Sequence, residues 1–424
     1  MMTGSFDSVA VVGGGMAGAT AVTALRDQGF SGRVCLIGAE EHLPYERPPL
    51  SKEFLGGEMP EDRLLVHSRE TYEEKDIELL LGRRAIRLCP ADGAVELEGG
   101  ERVGADRVLL CMGVRPRPVG VPGGTLPGVH YLHDLEDAWA LQIVIGRGVP
   151  VVVVGEGFIG SEVASTLAEQ GADVTLLMAG DLPMPVLGAE ASGWILDQHR
   201  SNGVDVRARS PLQAIRGRDR VESVELSDGT VLPAGAVVVG IGSEPVVDLA
   251  TDVGITVDNG ILVDGLSRTS VPGIYAAGDL ARFPSPTFGR SIRVEHWQNA
   301  QLQAAKAVEG MLGHGDRDIE PYDDIPWAWT KQYGNQWEIA GRPGPDMQVI
   351  RRGVPGSTDG ALWIFSTHGR VQGAVVVNRR RELRAVRRAL EQGPLFTNDT
   401  IRDESVDLCA ALSDTDAARH EKTA

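Results

Sequence analysis

The chain has 424 residues, 42% of them hydrophobic, 24% charged and 5% aromatic, and its length predicts two or three domains that each bury a core. Lys and Arg total 41 against 59 Asp and Glu, a net charge of −18, which speaks against a nucleic-acid partner or an anionic membrane surface. No apolar stretch approaches the roughly 18–20 residues that span a bilayer, and the start MMTGSFDSVAVVGGG lacks a basic segment followed by a cleavable apolar one, so a soluble, cytoplasmic protein is expected. Cys35, Cys89, Cys111 and Cys409 form no C-x-x-C pair and no ligand cluster, which predicts no metal site and no dithiol chemistry.

Along the chain, the run VAVV after Ser8 breaks at GGGMAG (13–18), and ATAVTALRDQG then has helical spacing up to Gly29. The strand VCLIG (34–38) completes a strand-helix-strand unit of about 30 residues. The same grammar returns at Val151 as VVVVG, the turn GEGFIG (155–160), the helix SEVASTLAEQG and the strand VTLLM ending at Met178. The strand GAVVVGIG, ending at Gly242, and the segment TSVPGIYAAGD (269–279) follow. Beyond Pro326 the segments WAWTKQY, ALWIFST and VQGAVVV predict an antiparallel sheet, then an Arg-rich helix over about 380–391. The last stretch, 398–424, is polar and acidic and reads as a mobile tail.

A single G-x-G-x-x-G is a weak signal, because glycine turns between strand and helix also occur without ligands. The spacing has a physical meaning: the first Gly turns the chain, the second lets backbone approach a pyrophosphate, and the third permits close helix packing, with the helix N-terminus facing the anion. Two copies with correct flanks predict two dinucleotide sites, and the simplest reason for both is a bound flavin reduced by a diffusible nicotinamide.

Seven separated segments carry a resemblance: VVGGGMAG (11–18), HLPYERPPLSK (42–52), GVRPR (113–117), GEGFIGSE (155–162), IYAAGD (274–279), EHWQNA (295–300) and PWAWT (326–330). In this order they resemble the FAD-dependent, NADH-linked ferredoxin reductases of the putidaredoxin-reductase and biphenyl-dioxygenase-reductase types, with apoptosis-inducing factor a more distant relative. The resemblance implies an α/β fold of glutathione-reductase type: two Rossmann-like dinucleotide-binding domains and a C-terminal α+β domain. Their expected bounds are 1–115 with 246–325 for FAD, 116–245 for NAD, and 326–424 for the C-terminal domain with its polar tail.

The resemblance also implies site residues. Gly13, Gly15, Ala17 and Gly18 would cradle the FAD pyrophosphate, Asp279 behind Gly278 would meet the ribityl chain, and Arg47 and Arg115 would offer donors. Ala85, Met112, Gly113, Glu295, His296 and Trp297 match flavin-side positions. Lys52 would stabilise the charge of reduced flavin, paired with Glu162. Trp329 would cover the nicotinamide side of the flavin and exclude water. Gly155, Gly157, Phe158, Ile159, Gly160, Glu162, Met178 and Gly242 line the expected NADH site.

Five departures from the family pattern stand out. Cys111, Met112 and Gly113 replace Ala-Thr-Gly. Ala39 replaces an Asp, leaving Glu40 or Glu41 for the adenosine ribose. His133 stands where relatives often carry a flavin-contacting Arg, and Lys331 where an Asp is common. Met178 stands where a Glu normally holds the NADH ribose; no Arg or Lys follows over 179–183 to welcome the phosphate of NADPH, and Asp181 partly replaces the missing carboxylate. NADH is thus expected to be preferred over NADPH by a reduced margin, and Met178→Glu to tighten it.

Arg380, Arg384, Arg387 and Arg388 recur at helical spacing as one basic stripe on an acidic chain, suited to an acidic two-iron ferredoxin. The resulting expectation is a monomer or weak homodimer that moves electrons from NADH through FAD to a ferredoxin supplying a haem monooxygenase or ring-hydroxylating dioxygenase. The alternatives are a rubredoxin reductase, an NADH oxidase, or a redox-responsive interaction protein like apoptosis-inducing factor.

Overall fold

The structure, a computed structural model, describes residues 6–313, 319–392 and 398–410. These form two compact units. The first takes the chain up to Pro48, Pro60–Arg115 and Ser243–Asp324. The second takes Pro49–Met59, Pro116–Gly242 and the chain from Ile325 on.

The first unit is built on a five-stranded parallel sheet in the order Ile274–Ala276, Arg107–Leu110, Ser8–Val12, Arg33–Ile37, Ile77–Leu80. Ser8–Val12 is central and covered on both faces, which is why it reads as an unbroken apolar run. Val9 and Val11 point to one face, where they share a core with Ala21, Val22 and Leu25 of the helix Met16–Asp27 and Ala304 and Val308 of the helix Trp297–Leu312. Ala10 and Val12 point to the other face and pack with Val95, Leu97, Phe283 and Ile292. Those four come from two small sheets absent from the sequence reading, Ala85–Cys89 with Ala94–Leu97 and Arg102–Gly104, and Ile261–Leu262 with Ala281–Ser285 and Arg290–Arg293.

The second unit repeats the plan, with a parallel sheet in the order Asp205–Arg207, Val174–Leu177, Val151–Val154, Ala236–Val239, Val129–His130. An antiparallel sheet of Leu212–Arg216, Ser223–Leu226 and Val231–Pro233 covers one face, with Ile215, Val224 and Leu226 packed on Val152, Val154 and Val237. The expected C-terminal sheet has five strands, ordered Trp327–Gln332, Asn335–Gly341, Arg370–Val377, Ala361–Thr367, Gln348–Gly353, with the helix Arg380–Gln392 beside it. The C-terminal sheet and the expected NAD domain share a core, since Met184, Leu187 and Ile195 cluster with Trp337, Trp363 and Phe365.

The expected tail needs correction over 398–410. Arg352, 1% exposed, donates to the carbonyl oxygens of Ile401 (2.9 Å), Asp403 (2.9 Å) and Val406 (2.6 Å), while Ile401 and Leu408 are buried. A buried guanidinium needs several acceptors, and the backbone of this segment supplies them. The remainder of the expected tail, 411–424, lies outside the described residues.

Candidate functional site

The two glycine turns have nearly the same backbone. Gly13 has φ +123° and Gly155 φ +124°. A Cβ on Gly13 would stand 2.2 Å from the carbonyl oxygen of Cys111, and one on Gly155 2.2 Å from that of Gly240, so each first glycine is required where the chain crosses a neighbouring strand end. A Cβ on Gly18 would lie 1.9 Å from the oxygen of Gly13, and one on Gly160 2.1 Å from the oxygen of Gly155, which fixes the close approach of helix to turn.

The middle glycines, Gly15 and Gly157, are different: nothing lies within 4 Å of a Cβ placed there. Each caps its helix with extended backbone, no side-chain cap bond and no acidic residue in the first turn. Open amide groups at an uncapped helix start, with no acidic residue in the first helical turn, fit a pyrophosphate at both turns.

Around the first turn, Gly278 (φ +85°) is held by Gln303, whose Oε1 accepts its N–H at 2.9 Å, and a Cβ there would be 3.1 Å from Cβ of Ala17. This places Asp279 beside the glycine turn. Burial and then the charge of Glu295 push the Asp279 carboxyl up to about 7, against the opposing pull of Arg293 and Arg47. Arg293 donates to the Asp279 carbonyl at 2.8 Å and pairs with Glu295 at 2.6 Å, and Ser243 donates to Glu295 at 2.5 Å. His296 caps the helix that Trp297 begins, and both are half-buried. Glu40 takes a hydrogen bond from Tyr45 (2.5 Å) and an ion pair from Arg47 (2.6 Å), so it is the one of the two candidate acids that is braced; Glu41 lies against Gly82.

Ala85 and Met112 pack at the edge of the core beneath the sheet, and Gly113 turns with φ +67°. Arg115 departs from its expected role as a flavin donor: its guanidinium is exposed and spent on Glu244 (2.8 Å) and Asp248 (3.0 Å), two carboxylates that no motif singled out. All four cysteines are free, and burial pushes Cys35 up to about 12 and raises Cys111.

In the second unit Lys52 and Glu162 meet. The ammonium lies 2.7 Å from Oε2 of Glu162, with side chains 7% and 3% exposed. Ser51, also buried, donates to the same carboxylate oxygen, and Lys52 donates to Ser51 at 3.1 Å. Thr166 on the helix Phe158–Glu169 holds the Ser51 carbonyl at 2.8 Å, so helix and segment are locked together. Phe158 packs toward the core, while Ile159 and Ile241 remain exposed beside Gly157 and Gly242 (φ +99°), an apolar bed next to the anion cradle. The His133 amide donates to Asp137 at 2.9 Å, at the start of the helix Leu135–Gly146. Trp329 is half-buried and stacks on Trp327 with ring centroids 5.0 Å apart; Lys331 pairs with Glu53 at 3.4 Å.

Met178 departs from its expected place at the ribose. It is fully buried because its backbone continues the sheet, donating to Arg207 and accepting from Ser210. Asp181 is also occupied, held through both oxygens by Arg209 at 2.5 and 3.0 Å. Sequence reasoning missed Arg209 because it approaches from the turn after the strand Asp205–Arg207 and not from 179–183.

Among the described residues no group of three or more His, Cys, Asp or Glu could hold a metal ion, and no helix is long and apolar enough to cross a membrane. The family described as pyridine nucleotide-disulphide oxidoreductase matches residues 7–304, and one described as reductase C-terminal matches residues 327–412. Rhodocoxin reductase of Rhodococcus erythropolis is 36% identical over 421 residues, covering 98% of this chain and 96% of its own. The ferredoxin–NAD(+) reductase component of the biphenyl dioxygenase system of Paraburkholderia xenovorans is 36% identical over 377 residues, 89% of this chain and 91% of its own. The crystal structure of the covalent putidaredoxin reductase–putidaredoxin complex matches with a TM-score of 0.91 at 32% identity, covering 97% of this chain and 99% of that one. Glycine geometry, sequence and fold agree, and the chain belongs to the pyridine nucleotide-disulphide oxidoreductases, within them to the FAD-dependent, NADH-linked ferredoxin reductases.

Proposed function

We propose that this oxidoreductase carries electrons from NADH through FAD to a small two-iron ferredoxin, which in turn supplies a haem monooxygenase or ring-hydroxylating dioxygenase. The observation that carries the reading is the pair of glycine turns with matching geometry, each opening an uncapped helix, in a chain whose four cysteines are free. When bound, FAD accepts a hydride and releases electrons singly, which joins a two-electron donor to a one-electron acceptor.

The residues bind and position. Gly13, Gly15, Ala17 and Gly18 hold the FAD pyrophosphate, Asp279 the ribityl chain, and Glu40 the adenosine ribose. Gly155, Gly157 and Gly160 hold the pyrophosphate of NADH, and Ile159 gives its apolar portion a dry surface. Lys52 offers its ammonium to the flavin ring and Glu162 orients it, while Trp329 excludes water from the nicotinamide side. No acid–base pair is required, since positioning and electrostatics suffice for hydride transfer. The domain bounds that go with this reading are 1–115 and 246–325 for FAD, 116–245 for NAD, and 326 onward for the C-terminal domain.

Ferredoxin docking is assigned to the helix Arg380–Gln392. Leu383, Val386, Ala389 and Leu390 bury one face in the sheet core, which leaves Arg380, Arg384 and Arg388 exposed and Arg387 half-exposed on the other. Arg384 and Arg387 line a cavity of about 280 Å³ with Trp327 and Glu338, where Arg380 pairs with Glu338 at 2.5 Å. An acidic partner seated there would rest over Trp327 and its stacked neighbour Trp329.

The test is NADH-driven cytochrome c reduction by the FAD-loaded protein, with and without an acidic two-iron ferredoxin. The expected result is a rate that depends on the ferredoxin. Equal rates with and without every such ferredoxin, beside rapid oxygen consumption, would leave an NADH oxidase.

A further inference from the structure

The strand end that follows the second glycine turn carries no acid, since Met178 is there and is fully buried. A carboxylate reaches the same place by another route. Glu156, between the first two glycines of the turn, accepts hydrogen bonds at Oε2 from the amides of Ala179 (2.8 Å) and Gly180 (3.0 Å), the two residues after Met178. Its other oxygen, Oε1, lies 3.0 Å from the position of a Cβ on Gly180 and has no hydrogen-bond partner among the described residues.

A negative charge beside a pyrophosphate cradle weakens coenzyme binding unless another part of the ligand uses it. In a dinucleotide fold that part is the adenosine ribose, which lies over the end of the second strand and donates two hydroxyls to a carboxylate there. Resting on the NADH reading above, we infer that Glu156 is the residue that binds the adenosine ribose of NADH and selects against NADPH. Oε2, fixed by two amides, anchors the side chain; Oε1 accepts the ribose hydroxyls. A 2′-phosphate would meet the same carboxylate and be repelled.

Arg209 strengthens the discrimination by being unavailable. Its amide donates to the Gly180 carbonyl at 3.0 Å, so it sits on the loop where a 2′-phosphate would arrive. Asp181 holds its guanidinium through two bonds, which neutralises the cation that a phosphate would need.

The experiment uses the FAD-loaded full chain. E156Q keeps an oxygen for the Ala179 and Gly180 amides and removes the charge. Dissociation constants for NAD+, NADP+ and an NAD+ analogue lacking the adenosine 2′-hydroxyl are measured by calorimetry, beside KM and kcat with NADH and NADPH. NAD+ binding should weaken roughly tenfold or more, the loss should fall on KM more than on kcat, and the preference over NADP+ should shrink by at least that factor. The deoxy analogue should bind wild type more weakly than NAD+ does and lose less than NAD+ on the substitution. A second variant, D181N, leaves Glu156 in place and frees Arg209, and NADP+ should then bind several-fold tighter. E156Q that binds NAD+ as wild type does, or D181N with unchanged NADP+ binding, overturns the inference while NADH oxidation by wild type keeps the family reading. A wild type that binds neither nucleotide overturns both.

Discussion

Removing one charge of the Lys52–Glu162 pair should be costly, and removing both should be nearly free in stability but not in rate. At 2.7 Å the gross attraction is about 6 kcal/mol at an effective dielectric of about 20. Desolvation of two side chains that are 7% and 3% exposed offsets most of it. Ser51 cannot compensate alone, since one hydroxyl serves both groups. Lys52→Met or Glu162→Leu should therefore destabilise the holoprotein by about 3–5 kcal/mol, because the surviving charge stays buried without its partner. The double variant replaces ion pair by apolar contact and should lie within about 1–2 kcal/mol of wild type. If the ammonium acts on the flavin, the stable double variant should still be reduced by NADH about ten- to a hundred-fold more slowly, the worth of one charge-assisted contact made mainly in the transition state. Denaturant midpoints with flavin in excess give the first quantity, and stopped-flow loss of flavin absorbance the second. A double variant reduced within about twofold of wild type would make the pair structural and remove Lys52 from the flavin. A Lys52→Met protein as stable as wild type would refute the account of the buried charge.

Reversing Arg384 and Arg388 to Glu should raise the KM for ferredoxin and leave NADH oxidation by ferricyanide unchanged. The wild-type ferredoxin rate should fall with salt as the Debye length drops from about 10 Å at 0.1 M to 3 Å at 1 M, and equal loss in both assays would point to damage elsewhere. His199 is fully buried between Ser161 (2.9 Å) and Tyr333 (2.7 Å), and burial lowers it from 6.5 to about 4. The unfolded chain therefore takes up a proton first as pH falls, so the stability from neutral His199 is complete above about 6.5 and is lost toward about 4, roughly 3 kcal/mol in all. His199→Gln should flatten the urea midpoint over that interval, and an unchanged slope would contradict the burial argument. Arg352→Met strands the carbonyls of Ile401, Asp403 and Val406, so it should cost about 3–5 kcal/mol and expose 398–410 to limited proteolysis, with an uncut segment counting against the anchor.

The two parallel sheets were legible because VAVV and VVVV are continuous apolar runs ending in glycine, a pattern that a doubly covered strand produces and little else does. The antiparallel sheets within 85–104 and 212–233 were missed because their strands are three to five residues long, although VELEGGERV and VELSDGTV alternate around Gly99–Gly100 and Asp228–Gly229. The segment 398–410 looked like a tail because its two buried apolar residues, Ile401 and Leu408, sit alone in polar sequence. Their organising partner, Arg352, is about fifty positions earlier and reads locally as one more surface cation on an edge strand. The Lys52–Glu162 pair spans 110 positions and was readable from flanking motifs alone. No local pattern reveals that Arg115 is spent on Glu244 and Asp248, since these lie 129 and 133 positions later and must return to the same place.

The coenzyme site shows where motif reading stops. Both units use the same turn, with first-glycine φ values of +123° and +124°, so the pyrophosphate cradle follows from glycine spacing in either. Ribose recognition does not follow, because a carboxylate can reach the end of the second strand from more than one point on the chain. In the first unit Glu40, just after the strand, is braced by Tyr45 and Arg47. In the second the corresponding stretch offers Met178, buried, and Asp181, neutralised, and a motif comparison scores this as a loss. The carboxylate has moved to Glu156, a position the glycine motif treats as free. Met178→Glu, which the strand-end comparison favours, would place a second negative charge in the core beside Glu156 and should weaken NADH binding. Specificity in this fold is thus a property of the place where the ribose lies, and any side chain that the turn geometry lets into that place can supply it.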